Sequence, residues 1–321
     1  MSTYKIISFD GGGVRGAFTT QVLKRLTQPP YNLNLESTHM FAGTSTGSVI
    51  AAGLAMGLSI DTVADFYTEQ NCKYIFSEPR FFGLMVLGPK YSNRPLHQFL
   101  SGQYTGNPQF DKLKHALVTA SFKLNSKYTG DWLTVFFHNR QDPAHLSGKP
   151  EFDYRKLRLV DAVMASGAAP VYFPSYQIDG RGTYIDGGVV ANNPGVAAIA
   201  VASGAHNLDK QDLGNIRLLS IANGIKPEHV SGSPKWGLMQ WLNPFKSSPL
   251  IDILTDGVSD ADHYYCLSML GERYRRLQIE LKDPVVLDDY KAVPKLVDLA
   301  NSNDPAFVKK LGDIAEWFNA P

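Results

Sequence analysis

Short apolar runs that stop at a glycine turn and resume as helix-spaced segments recur along the first 225 residues. That alternation restricts the chain more than any other feature. The first instance is YKIISF, residues 4–9, which ends against Asp10-Gly11-Gly12-Gly13. After Gly16 the apolar positions Phe18, Val22 and Leu26 repeat at helical spacing until Gln28-Pro29-Pro30 stops them. The second instance is HMFA, residues 39–42, then Gly43-Thr44-Ser45-Thr46-Gly47, then the small-residue helix SVIAAGLAMGL.

Further on, the spacing predicts a helix over residues 61–74, strands over 116–124 and 133–139, and a helix over 160–169 ended by Pro170. A short strand at 183–185 runs into Asp186-Gly187-Gly188. Pro194 suits the first turn of a helix to Ala202, and 216–221 reads as another strand. Strands alternating with helices imply a mostly parallel sheet with helices on both faces. Beyond residue 225 the chain reads as largely helical. With no long linker, repeat or low-complexity tract, residues 1–321 are expected to form one unit.

Composition narrows the function. The formal net charge is +1, from 31 basic and 30 acidic residues, and no basic stripe marks a nucleic-acid surface. Cys72 and Cys266 have neither metal-like nor disulfide-framework spacing, so buried or free thiols in a reducing compartment are expected. The N-terminus lacks the basic-then-apolar pattern of a cleaved signal peptide. No run of about 18 apolar residues occurs; residues 187–205 are interrupted by Asn192, Asn193 and Pro194. The expectation is a cytoplasmic protein with peripheral membrane contact.

Three constellations carry chemistry. Gly43-Thr44-Ser45-Thr46-Gly47 is a G-x-S-x-G between strand and helix, the context of a nucleophile elbow. Alone, it is equally a turn in which Ser45 or Thr44 caps the helix. Asp10-Gly11-Gly12-Gly13-Val14-Arg15-Gly16 exposes backbone N–H groups that can bind a phosphate or an oxyanion, and Arg15 adds positive charge. The same segment fits G-x-G-x-x-G, with Glu36 about 20 residues on, as in a dinucleotide site. Against that reading, Asp10 would face the pyrophosphate, and residues 28–34 make a poor second strand. In the third constellation, Asp186-Gly187-Gly188, the carboxylate can serve as general base to a serine, or simply close an Asx turn.

Taken together and in this order, DGGGVRG, GTSTG and DGG resemble the patatin-like phospholipase family. Residues 165–174 (ASGAAPVYFP), 186–194 (DGGVVANNP) and 249–256 (PLIDILTD) fit it too. The resemblance is firm over about residues 5–200, the catalytic core, with 201–321 as its largely helical continuation. It implies a three-layer α/β/α sandwich and a Ser–Asp dyad without histidine. By motif position Ser45 is the nucleophile and Asp186 the base. Gly11, Gly12 and Gly13 supply the oxyanion hole, and Arg15 supports that loop. The substrate implied is a membrane phospholipid or other acyl lipid. No cofactor, metal or nucleic acid is called for, and no EF-hand-like calcium loop is seen.

A triad would need His206, His229 or His263 after Asp186, and none lies in a catalytic motif. His138 follows a strand and is expected to be structural. Phe81, Phe82, Leu84, Met85, Val86 and Leu87 form an apolar cluster, as do Trp236, Leu238, Met239, Trp241, Leu242 and Phe245. Either is equally readable as packed core, and the hypothesis is that one of them touches lipid.

Overall fold

Strand β1 (Tyr4–Phe9) lies at the centre of an eight-stranded sheet. The computed structural model describes residues 3–79, 88–125, 132–142, 153–224 and 249–321, with 249–256 as backbone alone. The phenylalanine and leucine cluster at 81–87, the tryptophan cluster at 236–245 and His229 lie outside the described residues.

β1 pairs in parallel with β2 (Met40–Gly43) on one side and β7 (Ile216–Ile221) on the other. Outside β2 runs β3 (Ala116–Asn125), and outside β7 runs β8 (Tyr274–Leu277), both parallel to their neighbours. Alternate residues of these strands face opposite layers, as the pleat requires. Ile7, Phe9, Phe41, Leu117, Leu219 and Ile221 enter one buried cluster. Ile6, Met40, Ala42, Val118 and Leu218 enter another.

Helices cover both clusters, giving the expected α/β/α layers. On the first face lie α1 (Gly16–Thr27), α2 (Thr46–Met56) and α6 (Leu159–Ser166). On the second lie α8 (Gly195–Ser203) and α9 (Pro249–Leu270), with Ala198, Ile199, Cys266 and Leu270 on the sheet. The C-terminal helices α10 (Val293–Ala300) and α11 (Pro305–Asn319) return to the first face, where Leu296, Leu311 and Phe318 join the cluster of Ile7 and Phe9. The remaining helices are α3 (Ile60–Asp65), α4 (Glu69–Ile75), α5 (Arg94–Gln103) and the single turn α7 (Gly188–Ala191). No described helix is long and apolar enough to cross a membrane.

The structure departs from the expected pattern in three places. The helix expected over 61–74 is two helices, α3 and α4, because the Thr68 hydroxyl accepts the Asn71 N–H at 3.2 Å and starts a new one. β8 and the three-residue β5 (Tyr176–Ile178) are additional strands. Finally, β4 (Leu133–His138), β5 and β6 (Gly182–Asp186) run antiparallel to their partners. Chain length explains the β3–β4 and β5–β6 pairings. Parallel neighbours need a crossover of a dozen or more residues. Only residues 126–132 join β3 to β4, and only 179–181 join β5 to β6.

Candidate active site

β3 is longer than β2, and its excess length builds the site. Thr119 pairs with Gly43, the last residue of β2, and also with Phe137 of β4. Ser121 pairs with Val135 of β4 and with Asp186, the last residue of β6. β4 therefore fills one edge of β3, while β2 and β6 meet end to end along the other. Two residues of β3 separate their ends, about 7 Å at strand rise. Ser45 and Asp186, 141 positions apart in sequence, emerge at that junction.

The first side of the junction is the turn after β2. A Cβ on Gly43 would stand 2.0 Å from the Gly47 carbonyl oxygen, and one on Gly47 would stand 2.1 Å from that of Phe9. The strand, turn and helix pack too closely for any side chain there. Ser45 is held at φ 53°, ψ −123°, a strained conformation of a kind that costs about 1–3 kcal/mol. Its neighbours fix it. The Thr44 hydroxyl donates to Ala191 O at 2.6 Å, the Ser48 hydroxyl donates to Ser45 O at 2.6 Å, and the Ser45 N–H donates to Ser166 Oγ at 3.0 Å. Ser45 occupies the cap position of α2, yet its hydroxyl makes no capping bond. It acts on the Asp186 carboxyl instead, as one of the groups that hold its titration down.

Asp186 lies on the other side, 5% exposed. One carboxylate oxygen accepts the Gly188 N–H at 2.7 Å, which is the Asx turn anticipated from sequence. Burial pushes the Asp186 carboxyl up to about 6, against the Gly188 N–H and the Ser45 hydroxyl, which hold it down. No histidine is among the groups that act on it. His263 bonds the Tyr274 hydroxyl at 3.1 Å. His138 accepts the Arg140 N–H at 3.3 Å, and burial lowers its imidazole to about 4.

The glycine loop after β1 lies against Ser45: a Cβ on Gly11 would stand 3.2 Å from that of Ser45. The Gly11 N–H donates to Asn192 O at 3.0 Å. Among the described residues, the N–H groups of Gly12 and Gly13 have no backbone acceptor. Gly13 sits at φ 58°, with the Leu287 carbonyl 2.2 Å from where its Cβ would be. Arg15 braces the loop from behind, donating to Gly12 O at 3.2 Å and Gly224 O at 3.0 Å. Beneath it, Arg276 forms a two-point ion pair with Asp10, at 2.5 and 3.1 Å. Asn223 donates to the carbonyls of Asp10 and Gly11.

This arrangement removes the dinucleotide alternative. Glu36 precedes β2 and bonds Lys114 at 2.6 Å, at the end of the sheet opposite the glycine loop. A ribose-binding acid belongs at the same end as the loop.

From Ser45 a cleft of about 600 Å³, open solvent included, runs between α2, α4, α5 and α6. Val49, Phe66, Ile75, Leu96, Phe99 and Phe173 are among its walls. The polar atoms at its head satisfy one another: Thr46 Oγ1 and the Tyr67 hydroxyl lie 2.6 Å apart. Cys72 also lines it, with a thiol that burial pushes up to about 12. No cluster of three or more metal-ligating side chains occurs among the described residues.

Ser166, Asn192, Asn223, Leu287 and Arg276 complete the site without having been singled out from sequence. Ser166 and Asn192 fall in stretches that carried the resemblance. Asn223, Leu287 and Arg276 had no signal.

Comparison with known proteins finds relatives of this chain. The family model described as patatin-like phospholipase matches residues 7–199. CotR of Bacillus subtilis is 29% identical over 331 residues, 95% of this chain and 95% of its own. A cGAMP-activated phospholipase of Vibrio cholerae is 30% identical over 250 residues, 72% of this chain and 66% of its own. Among solved structures, VipD from Legionella pneumophila covers 93% of this chain and 67% of its own length, with 11% identity and a TM-score of 0.40.

Proposed function

The chain belongs to the patatin-like phospholipase family, and on that premise we propose that it is a serine lipid acyl hydrolase of the phospholipase A or lysophospholipase type. The observation that carries this reading is Ser45, held in a strained turn at the head of an apolar cleft, with its hydroxyl acting on the buried Asp186 carboxyl.

Asp186 accepts the Ser45 proton as Ser45 Oγ attacks the ester carbonyl carbon. Negative charge develops on the carbonyl oxygen beside Gly11, Gly12 and Gly13, and the N–H groups of Gly12 and Gly13 point to the donors that stabilise it. One such donor is commonly worth about 3–4 kcal/mol in the transition state. The tetrahedral intermediate collapses, the proton passes from Asp186 to the departing alcohol or lysolipid, and an acyl-enzyme remains. Water, deprotonated by Asp186, then releases the fatty acid and restores Ser45.

An ordinary aspartate is a poor base near neutrality. Burial makes Asp186 a stronger one while leaving it mostly ionised above pH 6. The acyl chain occupies the cleft from Val49 to Phe99, and the headgroup stays outside, where the substrate is presented from a lipid surface. Residues 1–321 act as one unit, and neither metal nor cofactor enters the reaction.

A fluorophosphonate probe tests the assignment. The wild type is expected to be labelled, Ser45→Ala not at all, and Asp186→Asn at least a hundredfold more slowly, a loss of about 3 kcal/mol. Mass spectrometry of phospholipid vesicles should show free fatty acid released by the wild type alone. Labelling that persists in Ser45→Ala would overturn the dyad.

A further inference from the structure

Where α6 runs out, residues 165–168 touch both halves of the junction. On one side, Ser166 Oγ accepts the Ser45 N–H at 3.0 Å. On the other, Ser166 O accepts the Gly187 N–H at 3.3 Å and Ala168 O accepts the Asp186 N–H at 3.0 Å. Ser121 locks the segment to the sheet, its hydroxyl 3.2 Å from Ala165 O and 2.9 Å from Ile185 O.

We infer that Ser166 is a positioning residue for Ser45: its hydroxyl oxygen holds the nucleophile's backbone N–H so that the Ser45 hydroxyl stays aimed at Asp186. This rests on the reading of Ser45 and Asp186 as nucleophile and base.

Three features carry the inference. The Ser45 backbone lies in neither the helical nor the strand basin, so no regular ladder supplies an acceptor for its N–H. Ser166 is 0% exposed, so water cannot replace its oxygen when that is removed. Serine is also a weaker helix former than alanine, and its two neighbours on the helix and turn, Ala165 and Gly167, are small and carry no polar side chain. Its hydroxyl is therefore the distinguishing group at this point of α6. With its side chain on Ser45 and its backbone on Gly187, one residue sets the spacing between the two ends of the dyad.

The experiment compares the wild type with Ser166→Ala and Ser166→Cys, using a p-nitrophenyl ester and a fluorophosphonate probe, with rates expressed per titrated Ser45. Ser166→Ala is expected to lose about tenfold or more in kcat, with KM within twofold and labelling slowed in parallel. The acidic limb of its kcat/KM profile should move to higher pH, because a misdirected Ser45 hydroxyl no longer holds the Asp186 carboxyl down. Ser166→Cys fills the site with a somewhat larger but weaker acceptor, and should fall between the two.

A merely structural serine would lower the thermal midpoint without changing kcat per titrated site or the pH limb. That result in Ser166→Ala overturns the inference, as does the same result in Ser166→Cys if the alanine variant does not fold. A wild type that shows no Ser45-dependent labelling sinks the dyad itself, which is a different failure.

Discussion

Arg276 of β8 forms a two-point ion pair with Asp10 beneath the glycine loop, and their side chains are 6% and 4% exposed. The pair ties the last strand of the sheet to the turn that follows the first. Arg276 also donates to the Ser220 hydroxyl at 2.7 Å, so three parallel strands share one buried contact.

Arg276→Met should strand the Asp10 carboxylate in the interior, and breaking a buried pair from one side commonly costs about 3–5 kcal/mol. The double variant Asp10→Asn/Arg276→Met removes both charges and should recover much of that loss. Urea unfolding midpoints at constant m-value measure both. Equal destabilisation of the single and double variants would show that packing, not charge, dominates.

The raised Asp186 carboxyl makes two predictions of opposite sense. For activity, the carboxylate must be ionised to take a proton. The rate should therefore fall about tenfold per pH unit below about pH 6 and level off above it. For stability, the folded carboxyl lies above its unfolded value of about 3.9, so between roughly pH 4 and 6 the folded state holds the extra proton. Stability contributed by this group is present at low pH and is lost as pH rises to 6, by about 3 kcal/mol at most. Asp186→Asn removes the charge but keeps an oxygen for the Gly188 N–H. It should abolish activity yet unfold at a higher temperature than the wild type at pH 7.5, with the gap closing toward pH 4. A gap that stays constant with pH would mean the carboxyl titrates normally.

What was legible in sequence depends on what each element is made of. YKIISF and IRLLSI read as strands because both faces of a central parallel strand are buried. β8 is YRRL, and its hydropathy gives no hint of a strand; Arg276 is tolerated there only because Asp10 waits across the sheet. Val63, Phe66 and Tyr67 keep an apolar pattern across the break between α3 and α4, which hid the break. Ser45 and Asp186 stood out by their turns, and their pairing came from the family resemblance alone. The junction that brings them near depends on β6 running antiparallel to the far half of β3, which no motif announces. Ser166 and Asn192 act on backbone groups of other segments, and such contacts leave no local signature.

The glycines divide sharply by their surroundings. A Cβ at Gly47 would press into the Phe9 carbonyl at 2.1 Å, whereas one at Gly102 in α5 would meet nothing within 4 Å. Gly47→Ala must open the elbow, and an expected cost of about 2–4 kcal/mol should accompany loss of Ser45 labelling. Gly102→Ala fills open space in a helix and should stabilise by about 0.5–1 kcal/mol with unchanged activity. Thermal melts and probe labelling of the two variants side by side decide whether close packing at the elbow is the reason for its glycine.

On the proposed reading, the cleft sets which acyl-chain lengths are accepted. Leu96 lines the α5 wall of this passage, against Gly167. Leu96→Trp narrows that passage while leaving the elbow, the glycine loop and Asp186 untouched. Each methylene kept out of the cleft forfeits about 0.8 kcal/mol. Exclusion of two or three should therefore lower kcat/KM for an ester of about twelve carbons by roughly ten- to fiftyfold. An acetyl ester, which places the fewest methylenes in the cleft, should stay closest to the wild-type rate. Parallel loss on short and long esters would place the damage at the dyad, and no change on either would mean that the acyl chain leaves Ser45 by another route.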